Sequence, residues 1–275
     1  MSKVQGSDGM KKITVLAALI IAILLWVSFR SGTAANTKDT EEITVFAASS
    51  LTESFTEIKK IYEKSNDNIK INFNFAGSQA LKTSLENGEK ADIFLSANLK
   101  YMDDLKAQGF MKDYKVFLKN KLILVRDKNC TVSVKELKDL SYEGISLAVG
   151  DKSVPVGDYW EKALSIGVKE GTISTEEKAK IDANIKSREL NVKDVLSKVL
   201  LGEVDFGVVY RSDITKGNED KLEDIELTVF AKCDAEYPVA ILKASEEKPE
   251  VKKFYNFLIS TEVKEILKKY KFIVD

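Results

Sequence analysis

The 275-residue chain contains no histidine. This removes the usual general base at neutral pH, the usual pH switch and the commonest transition-metal ligand. A Ser-His-Asp hydrolase is therefore excluded, and Cys130 and Cys233, the only thiols, offer too few ligands for a zinc site. Prolines number three, and 44% of residues are apolar against 31% charged, a composition that argues against disorder. Arginine is scarce, with only Arg30, Arg126, Arg188 and Arg211. The many lysines are scattered among glutamates as on a solvated surface, so no nucleic-acid partner is expected. There is no internal repeat, no low-complexity tract and no Pro/Gly/Ser-rich linker.

What is present begins with a targeting pattern. A basic start at Met10–Lys12 precedes the 13-residue apolar run Val15–Val27, and small residues follow in "SGTAAN". That order predicts a secretory signal over residues 1–35, cleaved near Ala34 or Ala35. The alternative is an uncleaved anchor over residues 13–29, which Arg30 favours. The first 35 residues carry four basic side chains and one acidic one, so the remainder has net charge −4 against −1 for the whole chain. In an exported chain the two cysteines could pair. Cys130 follows "LILVRDKN" and Cys233 precedes "YPVAIL", so antiparallel pairing of those strands would bring the thiols together; two free thiols are the alternative.

From residue 40 the sequence alternates apolar runs with helical periodicity. "ITVFAA" (43–48), "KINFNFA" (70–76) and "ADIFLSA" (91–97) read as strands, each followed by a helix. A second series follows: strands at 121–127, 145–151, 204–210 and 236–242, helices from Pro155 and after Asn191, a polar helix and loop over 168–190, and two C-terminal amphipathic helices. Two α/β units without a linker predict two lobes joined by crossing strands, with "KLILV" and "EYPVAI" as hinges. The expected lobes are residues 41–120 with 236–275, and residues 121–235. A ligand would sit between them, beyond the carboxyl ends of the strands.

Several helices start in a similar way. Ser50 with Glu53 reads as a capping box in "SLTE", Ser78 precedes "QALKTSL", Pro155-Val156 opens a first turn, and Asn191 precedes "VKDVLSKVLL". Each such start leaves backbone N–H groups unpaired and partly positive. Several aimed at one point would hold an anion without a cation. Taken singly, each serine and Asn191 is more often a simple cap, and Tyr210 more often a core residue with a wet hydroxyl.

The blocks "ITVFAASSLTESF", "FNFAGSQALKTSLENGEKADIFLSAN", "LAVGDKSVPVGDYWEKAL", "FGVVYRSD" and "EYPVAI", in this order from Ile43 to Phe272, resemble the periplasmic molybdate-binding proteins of ABC importers. The resemblance implies a two-lobed type II periplasmic-binding-protein fold, each lobe a mixed sheet flanked by helices, with the ligand in the interlobe cleft. It implies capture of molybdate or tungstate by uncharged donors: the Ser50 and Ser78 hydroxyls, the backbone N–H groups of Val156 and Val192, and the Tyr210 phenol. Molybdenum would be held only as its oxyanion, with no direct protein ligand and no cofactor. The expected partner is a membrane permease, the expected place the periplasm or the outer face of the cell membrane, and the expected state a monomer. Val156 stands where the family often has alanine, as does Ser49, which is expected to be dispensable.

A donor-only pocket penalises any protonated anion, because its proton would be buried without an acceptor. Molybdate, tungstate and sulfate escape that penalty, so a solute-binding protein for sulfate or another tetrahedral oxyanion is the first alternative. An enzyme with a serine nucleophile would need a lysine base, for which Lys82, four residues past Ser78, is the candidate. No enzyme is expected.

Overall fold

The computed structural model describes residues 40–274. The signal or anchor reading of the N-terminus lies outside them. Among the described residues no helix is long and apolar enough to cross a membrane.

The elements follow in chain order as β1 (Glu41–Ala48), α1 (Thr52–Ser65), β2 (Ile69–Ala76), α2 (Ser78–Glu86), β3 (Ile93–Leu95), α3 (Leu99–Ala107) and β4 (Lys115–Asn120). Then come β5 (Leu122–Asp127), β6 (Leu147–Gly150), α4 (Pro155–Lys169), α5 (Thr175–Asn184), β7 (Ile185–Glu189), α6 (Val192–Leu200), β8 (Phe206–Tyr210) and β9 (Leu222–Ile225). The chain closes with β10 (Ala235–Ile241), α7 (Pro249–Leu258) and α8 (Thr261–Lys269).

The strands form two five-stranded mixed sheets, ordered β2-β1-β3-β10-β4 and β7-β6-β8-β5-β9. The two have one plan. In each, one strand (β1 or β6) pairs in parallel with two neighbours, one reversed strand (β10 or β5) follows, and an edge strand (β4 or β9) pairs antiparallel with the reversed one. The chain passes between sheets twice, at Lys121 between β4 and β5, and between β9 and β10. Each sheet thus takes its first antiparallel strand, β10 or β5, directly from a crossing.

Burial on both faces explains the apolar runs of the parallel strands. Ile43, Val45 and Ala47 of β1 face the side covered by α1, α7 and α8, while Phe46 faces α2 and α3 with Leu81, Leu85 and Met102. On α1, Phe55, Ile58 and Tyr62 recur at helical spacing and are buried. Phe55 meets Phe73 and Phe117 edge-on at 5.8 and 6.3 Å. Burying such a side chain contributes about 1.5–3 kcal/mol.

Three strands go beyond the sequence reading. β4, β7 and β9 are edge strands, and in β7 ("IKSRE") only Ile185 is apolar, so no period-2 apolar pattern marks it. The cysteine geometry also differs from the condition for pairing. β5 pairs with β8 and β9, and β10 lies in the other sheet, so the two cysteine-bearing strand ends are not neighbours and both thiols are free.

Candidate functional site

The parallel strands of both sheets point their carboxyl ends at one small cavity. Four helices begin there: α1 after β1 and α2 after β2 in the first lobe, α4 after β6 and α6 after β7 in the second. Ser50, Ser78, Val156, Val192 and Tyr210, widely separated in sequence, all line it, as does Ser49. None of the lining residues is charged.

The helix starts are kept open in a specific way. α1 is entered through a 3-10 turn at Ser49–Leu51, and neither that turn, α2 nor α4 has a side-chain cap. By contrast α3, α5 and α8 are capped by Asn98, Ser174 and Ser260. Asn191 does cap α6, but it accepts from Lys193 and Asp194 at 2.9 and 3.1 Å and leaves the N–H of Val192 uncapped beside the cavity. Pro155 at the first position of α4 has no N–H, so Val156 presents the first one of that helix. Gly157 lets this turn fold tightly onto the preceding loop, where a Cβ would fall 1.9 Å from the Asp151 carbonyl oxygen.

The capping box expected at Ser50 is not formed. Ser50 Oγ lies 2.8 Å from Tyr237 Oη, and Glu53 turns instead to Lys193 at 2.7 Å. Ser78 is the first residue of α2 rather than its cap, and its Oγ accepts the Ala97 N–H at 3.1 Å. That bond leaves the Ser78 proton free to donate. Tyr210 is 1% exposed, and its hydroxyl has no hydrogen-bond partner among the described residues. Burial, with Tyr237, Tyr159 and Asp213 nearby, pushes its pKa well above the ordinary phenol value, so it stays a donor at physiological pH. A buried hydroxyl left unpaired costs about 1–3 kcal/mol, which an acceptor in the cavity would recover.

One cation, Lys193, stands next to Val192. It is held by Glu53 at 2.7 Å and by the fully buried Asp213 at 3.0 Å, and these two carboxylates outweigh its charge. Asp213 in turn accepts the Tyr210 N–H at 3.0 Å, fixing the end of β8. Burial raises the Asp213 pKa, against the pull of Lys193. Lys82 is no base for Ser78: its ammonium pairs with Glu86 at 2.9 Å and Asp104 at 3.6 Å, and the bond to Glu86 raises its pKa.

Contacts across the cleft surround the cavity. Besides Glu53–Lys193, Gln79 Nε2 donates to the Leu190 carbonyl at 2.8 Å, Asn98 Nδ2 donates to Asp158 at 3.0 Å, and the Tyr101 hydroxyl donates to the Ser153 carbonyl. Sequence reasoning had no signal for these partners, nor for Tyr237, which lies 187 residues from Ser50.

Residues 43–273 match the family model described as bacterial extracellular solute-binding protein. The chain is 30% identical over 238 residues to the molybdate-binding protein ModA of Mycobacterium tuberculosis, covering 86% of each. Among solved structures it is similar to a substrate-binding domain from Clostridium difficile ascribed to a molybdenum ABC transporter, at 31% identity and TM-score 0.62, covering 85% of this chain and 99% of that one. The periplasmic molybdate-binding protein of Azotobacter vinelandii shares the fold at TM-score 0.70 and 16% identity, over 85% of this chain and 99% of that one. With the two-lobed α/β architecture and a match over nearly all the described residues, the chain belongs to the bacterial extracellular solute-binding proteins.

Proposed function

We propose that this protein captures molybdate, or tungstate, outside the cell membrane and delivers it to an ABC permease. The carrying observation is the convergence of Ser50, Ser78, Val156, Val192 and Tyr210 on one charge-free cavity, where the buried Tyr210 hydroxyl lacks a partner among the described residues. Donors come from both lobes, so an ion between them favours the closed arrangement over the open one. We take residues 41–120 with 236–275 and residues 121–235 as the moving lobes, and a monomer as the working unit. The N-terminal segment would release the chain by cleavage or tether it through residues 13–29.

Thermal melts with molybdate, tungstate, sulfate and phosphate test this. Binding to the native state alone adds about 2.7 kcal/mol of stability at a hundred times Kd and so raises the midpoint. Molybdate and tungstate are expected to shift it and phosphate is not. Sulfate binding as tightly as molybdate in competition calorimetry would sink the assignment in favour of a sulfate carrier.

A further inference from the structure

Behind Ser50 lies a chain of buried polar groups that touches neither the cavity nor solvent. Tyr237 in β10 is fully buried, and its hydroxyl has two neighbours, Ser50 Oγ at 2.8 Å and Asn120 Nδ2 at 3.4 Å. Asn120 is the last residue of β4, at the crossing between lobes, and is also fully buried. Its Nδ2 donates to Ser212 Oγ at 2.8 Å, and its Oδ1 accepts the Lys121 N–H at 3.0 Å.

The direction of the bonds linking Asn120, Tyr237 and Ser50 follows from those contacts. The Lys121 N–H can only donate, so it fixes which end of the Asn120 amide is oxygen. The amide nitrogen then faces Tyr237 and Ser212 as a donor. Tyr237 accepts from it, and among the described residues the only acceptor left for the Tyr237 proton is Ser50 Oγ. The reverse arrangement, with Ser50 donating, would bury the Tyr237 proton unpaired. Ser50 therefore accepts a hydrogen bond from behind and has its own proton to offer in front. Ser78 is set the same way by the Ala97 N–H.

We propose that Tyr237, oriented by Asn120, is a positioning residue that fixes Ser50 as a hydrogen-bond donor toward the cavity and so discriminates against protonated oxyanions. This rests on the oxyanion-binding reading above. A freely rotating Ser50 hydroxyl could turn its lone pairs to the cavity and accept from hydrogen phosphate. A Ser50 held by Tyr237 is set to donate.

A double-mutant cycle tests the inference, with molybdate and phosphate affinities measured by calorimetry for the wild type, Tyr237→Phe, Ser50→Ala and the double variant. Tyr237→Phe is expected to weaken molybdate about tenfold, the scale of one oriented hydrogen bond, and to narrow the molybdate-to-phosphate ratio. In the Ser50→Ala background the same change is expected to cost less than about twofold, because its route to the ion is gone. Equal losses in both backgrounds, or no loss with Ser50 present, would overturn the inference. If Tyr237→Phe does not fold, Asn120→Ser, which withdraws the orienting amide, carries the same cycle. A wild type that ignores molybdate refutes the functional reading instead, and the cycle is then read with whichever oxyanion does bind.

Discussion

A single methyl group at position 77 separates binding by closure from binding by one lobe alone. Gly77 precedes α2 with φ −61° and ψ 137°, a conformation that alanine adopts freely, so its backbone does not require glycine. The space around it does. A Cβ there would fall 2.5 Å from the Leu190 carbonyl oxygen, which belongs to the other lobe, and 2.5 Å from the Gln79 side-chain amide. Gln79 can rotate away, but Leu190 offers backbone. Gly77→Ala must therefore push the lobes apart locally and break the Gln79–Leu190 bond. Overpacking costs about 1–3 kcal/mol and a lost hydrogen bond about 0.5–1.5 kcal/mol. After some relaxation, about 2 kcal/mol remains, roughly a thirtyfold weaker molybdate Kd. With the lobes separated, the methyl meets no backbone from the second lobe. There the entropy gain of Gly→Ala, about 0.4–1 kcal/mol, nearly offsets the poorer N-cap. Calorimetry with molybdate and ligand-free melts read the two effects separately. An unchanged Kd, or a fall in ligand-free stability as large as the loss of affinity, would refute the reasoning.

Ser50→Ala with Ser78→Ala is expected to weaken molybdate at least a hundredfold, since hydrogen bonds to a charged group are worth about 1.5–3 kcal/mol each, while far-ultraviolet circular dichroism stays native. Asp92→Asn is expected to lower stability at pH 7 by about 1–3 kcal/mol. Burial alone would raise the Asp92 pKa, but Lys248, Ser245 and the Thr44 N–H outweigh it and hold the carboxyl below its ordinary value. A depressed carboxylate pKa gives stability that is present above the unfolded value and lost as pH falls through the folded one. The variant should therefore show a shallower acid limb in melts taken downward from pH 5. Thiol titration should find Cys130 reactive in the folded protein and Cys233, fully buried with its pKa raised by burial, reactive only after denaturation. A mass unchanged by reductant would agree with two free thiols.

Local chemistry marked the helix starts well and their partners poorly. The strand-to-helix junctions at Ser50, Ser78, Pro155 and Asn191 were legible because turn residues and apolar periodicity meet there. That they converge was legible only through resemblance, since no spacing rule relates Ser50 to Tyr210. The Ser50 capping box was misread for an instructive reason: "SLTE" satisfies the local rule, but two tertiary partners, Tyr237 and Lys193, take the side chains that the box would have used. β7 escaped notice because an edge strand exposed on one side needs no apolar alternation. The cysteine pairing turned on which sheet β10 joins, and that is a property of the crossings, not of either strand.

The absence of an uncompensated cation from the cavity has a consequence for release. A lysine about 4 Å from the ion would contribute about 8 kcal/mol at an effective dielectric of 20, roughly 4 for each of the two negative charges, and it would keep much of that attraction with the lobes apart. Hydroxyls and helix N–H groups act only at contact, so donors in the second lobe contribute nothing once the cleft opens. The contacts across the cleft cannot replace the ion as the driving force. Glu53 and Lys193 keep 39% and 22% of their side-chain surface exposed, and such a pair is worth about 0–1 kcal/mol. The Gln79 and Asn98 bonds exchange for water on opening; the first, to a carbonyl, is worth about 0.5–1.5 kcal/mol, and the second, to the Asp158 carboxylate, about 1.5–3 kcal/mol. These contacts form whether or not an ion is bound, and the freedom lost on closure works against them. The ion, drawing on donors from both lobes, adds a term that only the closed arrangement gains. An arrangement of this kind can bind firmly when shut and let go when a permease holds the lobes open.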